Sequence, residues 1–162
     1  GVIDEVVARV LATFTPALSA RGIAIEQDLG AKENAHFDPD ACEQILGNLL
    51  ANVEKYAAAG ALARVTTARS GRFAVLTVAD RGPGVATALR ERIFSPFYRI
   101  SNAVTDGVSG AGLGLTIARE LARLHGGDLA LQDSERGATF EARLDVGGVV
   151  GSDDSSASEE PQ

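Results

Sequence analysis

Asn48, Asn52 and Lys55 are separated by four and then three positions. On a helix that spacing lines them along one stripe. Two amides and an ammonium on one stripe are costly if buried without partners, and they suit a polar ligand. An amide oxygen can ligate Mg²⁺, and a lysine ammonium can meet a phosphate as a point charge. The alternative is a helix face turned to solvent, which requires no ligand. Asp80 ends an alternating row in which Leu76 and Val78 share its parity. An acid there, ahead of Arg81-Gly82-Pro83-Gly84, either caps a turn or touches a ligand. As a ligand contact it would accept from an exocyclic amine. That selects adenine over guanine, which offers an oxygen at the same place.

A third candidate is Gly110-Ala111-Gly112-Leu113-Gly114-Leu115. Glycines two apart permit a tight loop, and a helical pattern follows at once. Backbone N–H groups at a helix start, with the helix dipole, bind phosphate. The run is not a dinucleotide fingerprint, because no strand precedes it, and no Lys-Ser/Thr follows as a Walker loop needs. Ile93-Phe94-Ser95-Pro96-Phe97-Tyr98-Arg99 precedes it. Aromatics there either hinge a lid or anchor a loop in the core.

The elements that must position these groups are legible in the patterning. Residues 4–20 predict an amphipathic helix, with Val7, Val10, Leu11, Phe14 and Leu18 on one side and Pro16 kinking or shortening it. Ile23-Ala24-Ile25 predicts a strand, and Ala35-His36-Phe37 a second, short one. Asp38-Pro39 is a helix start, an acid cap with proline in the first turn, and the helix should run to Tyr56. Residues 62–69 and 73–80 read as a hairpin turning at Ser70-Gly71-Arg72. A short helix is expected over 86–93, a loop over 95–110, and a helix over 112–125. A second hairpin pairs 128–133 with 138–145. Helices grouped against two antiparallel hairpins predict an α+β two-layer sandwich.

The chain has 162 residues and a net charge of −7. Asp153, Asp154, Glu159 and Glu160 carry much of that charge, and the rest is near −3, which gives no support for nucleic-acid binding. Nothing approaches the roughly 18–20 apolar residues of a membrane helix. One cysteine, Cys42, excludes an internal disulfide and fits a reducing compartment. Residues 147–162 are Gly-, Ser- and acid-rich and predict a disordered tail after a single domain over 1–146.

Taken together, the motifs resemble the catalytic ATP-binding domain of histidine kinases, in the superfamily shared with gyrase, Hsp90 and MutL. The resemblance covers residues 2–146. Residues 44–56 are similar to the asparagine box, Asp80-Arg81-Gly82-Pro83-Gly84 to the first glycine box, and residues 93–99 to the phenylalanine box. Residues 110–115 resemble the second glycine box, and Gly137-Ala138-Thr139-Phe140 the last glycine-threonine element. Departures are Val53, where the family often has Ala, and Arg81, where it often has Asn. The resemblance implies a mixed five-stranded sheet backed by about three helices. It implies ATP and Mg²⁺ as ligands, with Asn52 on the metal, Asn48 supporting metal or phosphates, Lys55 on a phosphate and Tyr56 near sugar or base. Asp80 would read the adenine amine, with Gly82 and Gly84 shaping its pocket. Gly110, Gly112, Leu113, Gly114 and Leu115 would form the lid over the triphosphate, with Phe97, Arg99 and Thr139 contributing to the site.

In the hydrolytic members of the superfamily a Glu stands four residues before the metal-binding Asn; here that residue is Asn48, and an amide cannot take a proton near neutral pH. The resemblance therefore implies phosphoryl transfer to a histidine rather than fast hydrolysis. His36 and His125 lack the phosphoacceptor pattern. The acceptor is expected on a helical dimerisation domain preceding Gly1 in a longer kinase, with this fragment as the cytoplasmic end of a membrane-anchored sensor and a response regulator as indirect partner. A nucleotide-dependent interaction module without efficient transfer and a gyrase-like ATPase are the alternatives.

Overall fold

The computed structural model describes residues 1–98 and 112–148. Arg99, Gly110 and the acidic residues from 153 onward lie outside the described residues.

Helix α1 is Ile3–Ala20 and buries Ile3, Val6, Val7, Val10, Leu11 and Leu18. Pro16 lies inside it, yet the helix continues to Ala20 and is not shortened. The lost hydrogen bond falls near an exposed end, where water can satisfy the freed carbonyl. Strand β1 is Ala24–Leu29, longer than its first three apolar residues suggest. Its extension comes from parallel pairing with β2, Leu62–Ser70, in a register that matches Ala24 to Leu62 and Leu29 to Thr67.

Between them lies α2, Pro39–Tyr56. Its Asp38 cap accepts from the N–H groups of Asp40 (2.9 Å) and Ala41 (3.2 Å), with Pro39 in the first turn. Ile45, Leu46, Leu49, Leu50 and Val53 form its buried arc. The expected strand at Ala35-His36-Phe37 is absent; a single bridge, Val2 to Asn34, stands near it. Ala35 exchanges backbone hydrogen bonds with Gly1, but the pairing stops there and is too short to make a strand.

Strand β3 is Phe73–Asp80, and residues 86–93 form not one helix but two 3₁₀ turns, Thr87–Leu89 and Arg92–Phe94. So short a segment does not repay the cost of nucleating an α-helix. Helix α3, Gly114–Leu124, begins later than the pattern suggests because Gly112 holds a left-handed φ of +74°. Strands β4, Asp128–Gln132, and β5, Thr139–Asp145, complete a five-stranded sheet of order β1-β2-β3-β5-β4. The β1–β2 pair is parallel and the rest are antiparallel, so the sheet is mixed.

The inner row of the sheet is Ala63, Val65, Ala74, Leu76, Val78, Phe140, Ala142 and Leu144, buried against the helices. This places the end of β3 beside the C-terminal end of α2. Small residues on α3, Ala118 and Ala122, are fully buried and let it approach α2 closely. Among the described residues, no helix is long and apolar enough to cross a membrane.

Candidate functional site

Asp80 is the last inner-row residue of β3, and it is only 7% exposed. Its Oδ1 accepts from the N–H of Gly82 (2.9 Å) and from that of Ala138 (3.1 Å). Both bonds fall on one oxygen, so the carboxylate is oriented by Oδ1 while Oδ2 has no hydrogen-bond partner among the described residues. A buried carboxylate so held is a directed acceptor. The turn-cap reading is realised on Oδ1, and Oδ2 is left unengaged among the described residues.

Close backbone approach builds the walls. A Cβ on Gly137 would lie 2.0 Å from the Asp80 carbonyl oxygen and 2.8 Å from Oδ1. Only a residue without a side chain brings the β4–β5 turn against Asp80. Gly84 in turn sits against the Gly137 carbonyl, where a Cβ would be 2.8 Å away. Gly82 packs on Ala57 at the C-terminal cap of α2, at 2.9 Å by the same measure. The loop 80–84 is therefore pressed onto the end of the helix that carries Asn48, Asn52, Lys55 and Tyr56.

Along that helix the stripe is graded. Asn48 and Asn52 are half-buried, Lys55 is exposed, and Tyr56 closes the helix half-buried. The Asn48 Nδ2 is buried and has no partner among the described residues. Its Oδ1 lies beside the start of α3, 3.7 Å from where a Gly114 Cβ would stand. Leu113 precedes α3 without a side-chain cap, so the first-turn N–H groups have no such partner. Leu113 and Leu115 are half-buried, and Leu115 packs against the core. The structure thus brings Asn48 of the stripe against the start of the glycine-initiated helix.

Gly112 places its backbone against Phe97 and Tyr98; a Cβ there would lie 2.6 Å from the Tyr98 carbonyl oxygen. The two ends of the stretch 99–111 are therefore side by side. Phe97 does not enter the core: it is 71% exposed, with φ +62°. Phe94 is the anchor instead, 7% exposed and edge-on to Phe140 at 6.3 Å. Thr139 is the first residue of β5, paired with Ala79, and it lines a cleft on the opposite face of the sheet.

Sequence reasoning missed Arg119. Its guanidinium stands 4.5 Å over the Phe94 ring and pairs with Glu91 (3.0 Å) and Asp128 (3.1 Å). Thr116 Oγ1 also donates to the Phe94 carbonyl at 2.8 Å. These contacts lock α3 to the 3₁₀ turn before the phenylalanine motif. Burial pushes the Asp128 carboxyl up, but hydrogen bonds from Arg119, Leu129 N–H and Arg123 outweigh it and hold the group below its usual range. No single-helix spacing reveals partners nine and twenty-eight residues apart.

His125 caps the far end of α3. Its Nδ1 lies 2.8 Å from the Leu121 carbonyl oxygen and its Nε2 3.7 Å from Asp38 Oδ2. Asp38 starts α2, fourteen residues and about 20 Å of helix from Asn52. His36 is exposed just before that cap.

A mixed sheet backed by three helices, with facing amides, a glycine-initiated helix and a buried strand-end carboxylate, is the architecture of an ATP-binding catalytic domain. The chain belongs to the histidine kinase-, DNA gyrase B- and HSP90-like ATPase family, whose model matches residues 37–148. It is 36% identical over 146 residues to the signal transduction histidine-protein kinase AfsQ2 of Streptomyces coelicolor, covering 88% of this chain and 26% of that protein. To the sensor histidine kinase TmoS of Ectopseudomonas mendocina it is 31% identical, covering 94% of this chain and 16% of that protein. The chain thus spans about a quarter or less of these relatives. Among solved structures, full-length ShkA in complex with AMPPNP superposes with a TM-score of 0.74 at 30% identity, over 90% of this chain and 31% of that one. The mycobacterial sensor histidine kinase MprB shares the fold, with a TM-score of 0.77 at 24% identity over 91% of this chain and 97% of that one.

Proposed function

We propose that this domain binds ATP with Mg²⁺ and presents the γ-phosphate to a histidine on a separate helical dimerisation and phosphoacceptor domain, within two-component signalling. The observation that carries the reading is the apposition of Asn48, with its unpartnered buried amide, to the uncapped start of α3, on the same side as the Asp80 carboxylate. An amide donor and free N–H groups at a helix start suit phosphate oxygens. The Asp80 Oδ2 suits the adenine amine, and a base held there sets the direction in which the phosphates lie.

Among the described residues no group of three or more His, Cys, Asp or Glu could hold a metal. The donors available are amide oxygens, Asn52 first and Asn48 beside it. These are hard oxygen ligands of the kind Mg²⁺ takes together with substrate phosphates. The ion would neutralise charge on the transferring phosphoryl group. Lys55, exposed at the end of the stripe, can reach a phosphate from solvent without desolvation cost.

The residue choice at position 48 separates transfer from hydrolysis. An amide there cannot deprotonate water, whereas a neutral imidazole nucleophile needs little base help. His125 stands at the opposite end of α2 from Asn52, and His36 lies just before the same Asp38 cap, which supports an acceptor on a partner domain. On this reading the domain on its own turns ATP over well below about 1 per second.

The reading is tested by mixing the domain with a separately produced histidine-kinase phosphoacceptor domain and radiolabelled ATP. Acid-labile label on the partner's histidine, lost in Asn52→Asp, is the expected result. Nucleotide binding without label on any histidine would favour a module that uses ATP as a conformational ligand.

A further inference from the structure

The outer face of the sheet carries a cleft of about 170 Å³ at the Asp80 end, separate from the amide stripe. Its floor follows from strand register. Glu26, Arg64, Ala79 and Thr139 lie in one row across β1, β2, β3 and β5. Ala79 is the small member of that row, so the surface dips between the Arg64 and Thr139 side chains. Two loops raise the walls: Arg81 follows β3, and Ser134 and Arg136 belong to the β4–β5 turn. That turn is held, since Asp133 pairs with Arg90 at 2.7 Å and Ser134 Oγ donates to the Arg136 carbonyl at 2.9 Å.

Three guanidinium groups thus line one small cleft. None of Arg64, Arg81 and Arg136 is ion-paired among the described residues, although Glu26 is the direct cross-strand neighbour of Arg64. Asp80 also borders the cleft, but its Oδ1 is committed to Gly82 and Ala138. In a chain of net charge −7, three unpaired cations converging on one depression stand out.

We propose that this cleft binds a phosphoryl oxyanion, at a site distinct from that of the nucleotide. Three guanidinium forks offer more donors than a carboxylate can accept, and they match the three oxygens of a phosphoryl group. Against Glu26 and Asp80 the cleft keeps an excess of one positive charge, which attracts a phosphoryl group of about −1.5 to −2 at neutral pH. The arginines reach solvent, so binding is weak and falls with added salt. The inference does not depend on the nucleotide reading.

The test is a titration of inorganic phosphate into the ¹⁵N-labelled chain, followed by amide shifts at constant low ionic strength, with and without ADP. Saturable shifts at Ala79, Ser134, Arg136 and Thr139 are expected in both conditions. Arg64→Ala with Arg136→Ala should weaken phosphate at least about tenfold, the loss of a charge-assisted pair. ADP affinity should not move. Arg136→Ala alone, on a turn, should act in the same direction. Acetate should bind at least about tenfold more weakly than phosphate. No saturable shift at these amides, unchanged phosphate affinity in the double variant, or equal affinity for acetate would each overturn the proposal. Failure of ADP to bind would count against the nucleotide site only.

Discussion

The Gly137 backbone lies so close to Asp80 that a single added Cβ would stand 2.0 Å from the Asp80 carbonyl oxygen and 2.8 Å from its carboxylate. The β4–β5 turn and the end of β3 are thus one unit. The Ala138 N–H, next in the chain, is one of the two donors that fix the carboxylate.

Gly137→Ala is therefore expected to be more damaging than its size suggests. The residue holds φ +77°, and its Cβ has no room. Strain of this kind costs about 1–3 kcal/mol before any displacement of Asp80. Thermal unfolding and ADP calorimetry should show lowered stability and weakened binding together. A variant as stable and as competent as the parent would refute this account of the wall.

Arg119→Ala should loosen α3 from the phenylalanine motif. The guanidinium is 14% exposed and serves Phe94, Glu91 and Asp128 at once. A loss of roughly 1–3 kcal/mol is expected from the hydrogen bonds to charged groups. The pH dependence has a definite sign. The Asp128 carboxyl is held below its usual range when folded, so its contribution is present above its unfolded value and is lost as pH falls through the folded one. Asp128→Asn should remove that part of the acid sensitivity, and urea melts between pH 3 and 7 would measure it.

Cys42 is buried on α2, and burial first, with Glu43 adding, pushes its thiol up to about 12. Its thiolate fraction at neutral pH is negligible. Alkylation should be slow in the folded domain and fast after denaturation. Rapid labelling of the native chain would show that α2 opens locally, which its buried arc argues against.

Residues 147–162 read as a featureless tail, but Gly147 belongs to the fold. Its carbonyl accepts from Arg69 Nη2 at 3.0 Å, while Arg69 Nε and Nη1 are buried without partners among the described residues. Ending the chain at Val146 should therefore lower the melting temperature relative to ending it at Gly148. Equal melting temperatures would return Gly147 to the tail.

Local signals made much of this legible. Asp38-Pro39 marks the start of α2 because a cap and a fixed φ act within one turn. The alternation along residues 73–80 announces both β3 and the inward Asp80. Ala35-His36-Phe37 and residues 86–93 misled for the opposite reason: a strand exists only if enough of it is paired, and a two-turn helix only if packing offsets its nucleation. Within the site, the Asn48–Asn52–Lys55 stripe could be seen from spacing alone. The Arg119 network could not, because its partners come from the second 3₁₀ turn and β4, whose proximity to α3 is a property of the packed fold. Phe94 and Phe97 are alike in sequence, and the backbone alone decides which enters the core.

On the proposed function, Asp80 is expected to read an adenine amine in a site completed by the α2 stripe and the start of α3. Calorimetry of ATP and GTP with Mg²⁺, on the parent domain and on Asp80→Asn, tests it most directly. ATP should bind the parent well ahead of GTP, and Asp80→Asn should weaken ATP by about 1.5–3 kcal/mol, the range for a hydrogen bond to a charged group. Equal affinity for the two nucleotides, or ATP affinity untouched by Asp80→Asn, would contradict it.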